Sequence, residues 1–302
     1  MQREIAENVG MLWGLIAAYV GADVLFLLAG LYPGHVPIVV SVALHILPPL
    51  TFALVHGARI YGRRGILAFA GLYVVVGNVL ENLSITTGFP FGHYVFTERM
   101  GPKISQVPIL LGLAYVGMGY LSWMVARAIL RERVGELSGW RVAMLPVLAS
   151  VVMTAWDLAM DPIWSTVGRL WIWQQGGGYF GVPASNYVGW LLANYVIYQS
   201  FILILRRRGS GFASQNGTES VPLSYWRTAV IFYALTGIGN LLLAVPTPRH
   251  PVVTDASGAA WRVSDITLAC AVISGLVMGG FALCAWVRLG EGTPEDERSV
   301  SG

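Results

Sequence analysis

NVLENLSITTGFPFGHY, residues 78–94, is the stretch on which the reading of this chain turns. Its first half is apolar enough for a bilayer helix yet carries Glu81, and its second half breaks into an aromatic turn containing glycine. A charged side chain at mid-bilayer costs about 2.5–3.5 kcal/mol on insertion scales, so a helix that keeps one has a use for it. Glu81 is therefore a candidate functional residue.

The rest of the composition agrees with a bilayer setting. The 302 residues are 55% hydrophobic and 12% charged, with a mean hydropathy of +0.63, whereas soluble domains carry about 25% charged residues. The expected class is an all-α integral membrane protein. Lys103 is the single lysine among 19 basic residues and the net charge is +3, which excludes the broad cationic face that grips nucleic acid. Cys270 and Cys284 fall in one apolar segment, too far apart along a helix for a disulfide, and read as buried packing thiols. The N-terminus shows no small-residue cleavage site, so the first hydrophobic segment is expected to stay.

Windows of about 20 apolar residues, the length of a hydrocarbon crossing, occur near 11–31, 37–58, 66–87, 107–130, 141–161, 185–205, 226–246 and 264–287. Eight spans in one polytopic domain, 1–290, are expected, followed by a polar tail at 291–302. Fourteen of the 19 basic residues lie at the termini or after spans two, four and six, and five lie on the opposite connections. The positive-inside rule then places both termini in the cytoplasm of a multi-pass cell-membrane protein. The Gly/Ser-rich stretch RRRGSGFASQNGTES, 206–220, reads as a flexible cytoplasmic linker, with its Asn216 sequon unmodified.

Two outer connections are long. Residues 88–106 follow span three, and 162–184 follow span five, crowding Trp164, Trp171, Trp173, Tyr179 and Phe180 among glycines. Such rings suit either an interfacial aromatic belt or a segment that caps a pocket.

Glu81 and Asp157 each sit roughly fifteen residues from the cytoplasmic start of their spans, hence at one level in the outer half of the membrane. Asp157 and Asp161 are four apart and share a helical face, and Asn78, Glu81 and Asn82 are expected to form a polar stripe opposite them, the asparagines serving as interhelical support. Asp161, beside Pro162 at the helix end, is the member most easily left to solvent. A carboxyl without a cation in low dielectric lowers its cost by holding a proton, and two such neighbours separate into an acid and a base. His93, in the FPFGHY turn, can orient a carboxylate or a water. Asp23 and His45 are also intramembrane and read as isolated packing partners. No metal-ligand motif and no GxGxxG after a strand is visible, so neither metal nor dinucleotide is expected.

ENLSITTGFPFGHY, GPKISQVPILLGLAYVGMGY, WDLAMDP and WQQGGGYFGVPASNYVGW, ordered within residues 78–200, resemble the CruF-type carotenoid hydratases of the carotenoid biosynthesis membrane protein family. The resemblance implies addition of water to the terminal isopropylidene double bond of a linear or monocyclic carotenoid, giving a tertiary alcohol without a cofactor. That chemistry needs a dry proton donor, a site tolerant of a tertiary cation and one held water. Glu81 and Asp157 are the expected acid and base in unassigned order, with Asp161 able to replace either and His93 or Asn186 aiding the water. Aromatic faces stabilise a cation by about 0.5–2 kcal/mol, which makes Phe89, Phe91, Tyr94, Trp156, Trp164, Trp173, Tyr179, Phe180 and Trp190 the expected substrate wall, with Asn186.

The implied partners are a carotenoid entering from lipid, water, membrane lipids and other enzymes of the pathway. Three further readings stay open: an end-group isomerase or cyclase, a proton-coupled carrier, and a scaffold for pigment enzymes.

Overall fold

In hydrocarbon every backbone N–H and C=O must be bonded within its own segment, so long apolar runs fold as helices. The computed structural model describes residues 2–31, 37–131, 139–208, 221–244 and 251–291. Of the expected linker at 206–220, residues 206–208 instead end the helix Ala184–Arg208, while residues 209–220 with the Asn216 sequon, and residues 292–302 of the polar tail, lie outside the described residues. Seven helical segments among the described residues are long and apolar enough to cross a membrane.

The helices are α1 (Gln2–Leu31), α2 (Ile38–Thr87), α3 (Ile109–Leu130), α4 (Arg141–Pro162), α5 (Ala184–Arg208), α6 (Leu223–Leu235), α7 (Ile238–Leu243), α8 (Val263–Val272) and α9 (Gly279–Gly290). A π-helical turn, Ile163–Val167, extends α4, and another, Ile273–Met278, joins α8 to α9. Three short antiparallel pairs lie between helices: β1 (Tyr94–Phe96) with β4 (Trp171–Trp173), β2 (Lys103–Ile104) with β3 (Val107–Pro108), and β5 (Val252–Thr254) with β6 (Ala260–Arg262).

The expected spans two and three are one helical element, α2, and this is where seven segments replace eight windows. Gly62 interrupts it at φ 69°, ψ 166°, a conformation that favours glycine. A Cβ at Gly57 would meet the Ile66 side chain at 2.5 Å, whereas nine residues of straight helix span about 13.5 Å. The chain reverses at Gly62, so no separate loop is needed between the arms 38–61 and 63–87. Arg63 and Arg64 follow the reversal directly.

Helix α3 is the centre of the bundle, with 72% of its apolar window buried against 28% for α1. It takes this place because glycines let neighbours approach. A side chain at Gly119 would collide with Tyr73, and one at Gly117 with the Pro49–Leu50 backbone at 2.8 Å. Cys270 is buried as expected, but Cys284 is exposed on the outer surface of α9 and is not a packing thiol.

The two sets of connections gather at opposite ends. Arg131 pairs with Glu291 at 3.6 Å and buried Arg127 donates to Tyr61 at 2.5 Å, which brings the ends of α3 and α9 to the Gly62 reversal. At the far end Arg99 donates to the Gly168 carbonyl and Arg169 to that of Thr254, tying the connection after α2 to that after α4, and the latter to the β5–β6 hairpin.

Candidate active site

The connection after α2 begins with a tight stop. Gly88 takes a left-handed conformation (φ 81°) and returns its N–H to Ser84, whose hydroxyl receives the Phe91 N–H at 3.0 Å and donates to the Gly92 carbonyl at 2.9 Å. This clamp fixes where β1 starts. Strand β1 then pairs with β4 in the register Tyr94↔Trp173 and Phe96↔Trp171. Because strand side chains alternate between faces, these four rings share the buried face, while Val95 is exposed. They roof a cavity between helices.

That cavity, about 310 Å³, brings Glu81, Asp157 and Asp161 together with Phe91, Tyr94, Tyr115, Trp173, Asn186 and Trp190. Each of the three acids is at most 4% exposed. None of the lining residues is cationic, and Lys103 is turned away to Glu98 at 2.7 Å. Hydrogen-bond donors take the place of cations. Glu81 accepts from the Tyr94 hydroxyl on one oxygen and from the Tyr115 hydroxyl on the other at 2.5 Å. Asp161 accepts the indole N–H of Trp171 at 2.9 Å and of Trp173 at 3.3 Å, and its other oxygen takes the Asn186 amide at 2.8 Å. The same amide donates to Asp157 at 2.9 Å. Asn186 thus bridges the two aspartates, and Asp157 has the thinnest set of donors of the three.

The i, i+4 spacing on α4 carries Asp157 and Asp161 to one face as expected. Asp161 departs from expectation in being buried and held by three side-chain donors, since the chain after Pro162 continues in the π-helical turn and keeps the carboxylate inside. Rings close the site: Phe91 stacks on Trp190 with centroids 4.9 Å apart, and Tyr115 meets Trp190 edge-on at 4.6 Å. A Cβ on Gly189 would fall 2.7 Å from Phe91, so the stack requires glycine there.

Several expected residues lie elsewhere. His93 precedes Tyr94 and is turned to the other side, its ring against Gly88. Phe89 is 57% exposed at the turn. Asn82 is rotated by about 100° from Glu81 and donates to Asn78, so the two asparagines pair with each other and the expected stripe does not converge on the acids. Tyr179 donates to the Leu158 carbonyl and Phe180 packs on Trp261. Neither lines this cavity.

Trp156 and Trp164 line a second, larger cavity of about 860 Å³, bounded also by α1, α2 and α7. Leu111, Met160 and Trp171 belong to both walls, so the two spaces are neighbours. The sequence reading missed Tyr115 and Trp171 as partners of the acids. Trp171 stood in the aromatic loop, where period-2 alternation with Trp173 was a usable signal, whereas nothing distinguishes Tyr115 within its apolar helix.

The sequence profile of carotenoid biosynthesis proteins matches residues 35–248, which contain every residue of this site. A bisanhydrobacterioruberin hydratase of Haloarcula japonica is 28% identical over 131 residues, 43% of this chain and 42% of the relative. The match thus spans less than half of that relative. No solved structure matches.

Proposed function

The chain belongs to the carotenoid biosynthesis protein family, and from that premise we propose that it is a carotenoid hydratase, adding water to a terminal isopropylidene double bond. The observation that carries the proposal is the convergence of three buried carboxyls on one aromatic cavity with no cation in its wall.

The donor pattern supports a division of roles. Asp157, with the fewest hydrogen-bond donors, is the carboxyl that is least costly to keep protonated. Its proton goes to the less substituted alkene carbon, the π pair forms the new C–H bond, and the tertiary carbon is left cationic. Asp161, fixed as a carboxylate by two indoles and an amide, faces that developing charge. The faces of Trp173, Trp190 and Phe91 add cation–π stabilisation. Glu81 receives a proton from the attacking water, its two tyrosines holding it as a base. Return of that proton to Asp157 through water completes the cycle, so atoms and charge balance without a redox partner.

The smaller cavity suits an end group and the larger one the adjoining chain, since both fall within the roughly 300–1,000 Å³ of small-molecule sites. The substrate enters sideways from lipid. The reversal at Gly62 supports a reading of α2 as two crossings and of the chain as eight in all, and the arginine distribution supports a cytoplasmic arginine-rich end with the acid site toward the outer face of the cell membrane.

The test is expression in a lycopene-accumulating bacterium with mass spectrometry of the pigments. A gain of one water per reacted end, as a tertiary alcohol, is expected. Unchanged lycopene despite confirmed membrane insertion overturns the proposal for that substrate, and an altered end group of unchanged mass converts it to an isomerase.

A further inference from the structure

The larger cavity contains a polar corner that the hydration mechanism does not use. Asp23 on α1 and His45 on α2 both line it, and His45 Nε2 lies 3.1 Å from Asp23 Oδ1. His45 Nδ1 lies 2.6 Å from the Ser41 carbonyl oxygen, which only accepts, so Nδ1 carries a hydrogen. The contact to Asp23 then holds one shared proton, as imidazolium–carboxylate or as imidazole–carboxylic acid. In both states the pair is neutral overall, which lowers its cost inside a bilayer.

One atom remains unmatched. Asp23 is 5% exposed, and its Oδ2 is buried with no hydrogen-bond partner among the described residues. A buried acceptor left without a donor has lost its hydration with nothing in exchange, so a ligand that brings an O–H recovers that loss. Around the pair the wall is mostly apolar and aromatic: Phe26 and Tyr19 meet the His45 ring edge-on, and Trp164 both stacks on Phe26 and meets His45. A side chain at Gly239 would collide with the Asp23 carboxyl, so α7 approaches this corner through a bare backbone.

The geometry points to a second binding site, in which Asp23, oriented by His45, receives a hydroxyl group carried by an isoprenoid ligand lying in the larger cavity. The site makes the protein selective for chains bearing an alcohol close to the end being processed, over the corresponding hydrocarbon. The inference rests on the isoprenoid reading of the cavity and adds to it the recognition of an existing alcohol.

The experiment uses the full chain in lipid nanodiscs. A bound coloured polyene quenches tryptophan emission, and two competitors displace it: a saturated branched hydrocarbon and the same chain with one hydroxyl, neither of which has a double bond to hydrate. In the wild type the alcohol is expected to compete at least about 10-fold better, the lower range for a hydrogen bond to a charged group. In Asp23→Leu the two competitors are expected to converge to within about 3-fold while the polyene still binds, which also reports folding. Gly239→Ala, which displaces the carboxyl without removing it, is a second variant with the same expectation. Equal competition in the wild type, as when water alone satisfies Oδ2, overturns the inference and leaves the hydratase reading standing. A preference that survives both substitutions also overturns it. Failure of the polyene to bind the wild type overturns both readings.

Discussion

The two acidic regions of this membrane interior solve the same problem by different means. Around Glu81, Asp157 and Asp161, neutral donors from three tyrosine or tryptophan-bearing elements and one asparagine surround carboxyls that have no cation in their wall. Around Asp23, a single imidazole shares one proton with one oxygen and leaves the other without a donor. The first arrangement gives every acid at least one donor and holds several acids at once, as proton transfer requires. The second is incomplete, as recognition of a donor requires.

The contrast breaks most readily at the acids themselves. Asp157→Asn and Glu81→Gln are each expected to lower turnover at least about 10²-fold, the lower range for a lost general acid or base. The readout is the ratio of hydrated to parent pigment at matched protein level, and retained activity in both removes the mechanism. Next is the bridge. Asn186→Leu strips one donor from each aspartate, at about 1–3 kcal/mol per unmet acceptor, so turnover is expected to fall on the order of 10–100-fold. An unchanged rate would mean that the aspartates do not act as a unit.

Tyr115→Phe is milder, because Tyr94 still donates to Glu81. A loss of about 10-fold is expected, and Tyr94→Phe combined with it should lose more than either alone.

The smallest effect sharpens the comparison from outside the bilayer, at Asp255 on the β5–β6 hairpin. Its partial burial pushes the carboxyl up, but donors from Ser257, Trp261 and the Ala259 backbone outweigh this and hold it below its ordinary value of 3.8. A carboxyl depressed in the folded state stabilises it above the ordinary value, and that contribution is lost as pH falls through the folded one. Asp255→Asn should therefore speed amide hydrogen exchange in the hairpin at neutral pH, with the difference from wild type shrinking once the pH is taken well below 3.8. A difference independent of pH would mean that the carboxylate charge is not what holds the turn.

Much of this was legible beforehand, for reasons that are local. Apolar runs of crossing length force helices, and four-residue spacing forces Asp157 and Asp161 onto one face. Motifs distributed over residues 78–200 indicated the family. What failed was orientation. His93 was expected at the acids, yet its neighbour Tyr94 points inward, since adjacent residues entering a strand face opposite ways. On the helices, the turn of about 100° per residue separates Asn82 from Glu81 and sends Trp156 to the larger cavity while Asp157 enters the smaller one.

By itself, then, the sequence determined that the chain is built of helices long and apolar enough to cross a membrane, that Asp157 and Asp161 share one helical face, and that aromatic loops follow the helices bearing the acids. Each depends on composition or on spacing within one helix. Only the tertiary structure decided that β1 and β4, some 77 residues apart, pair so that two indoles face Asp161, that Tyr115 of α3 closes on Glu81, and that Asp23 meets His45. These are contacts between segments whose local preferences are silent about one another. Such contacts depend on how closely segments can approach, as where Gly117 and Gly119 of α3 admit Pro49–Leu50 and Tyr73 of α2, and no single segment specifies that.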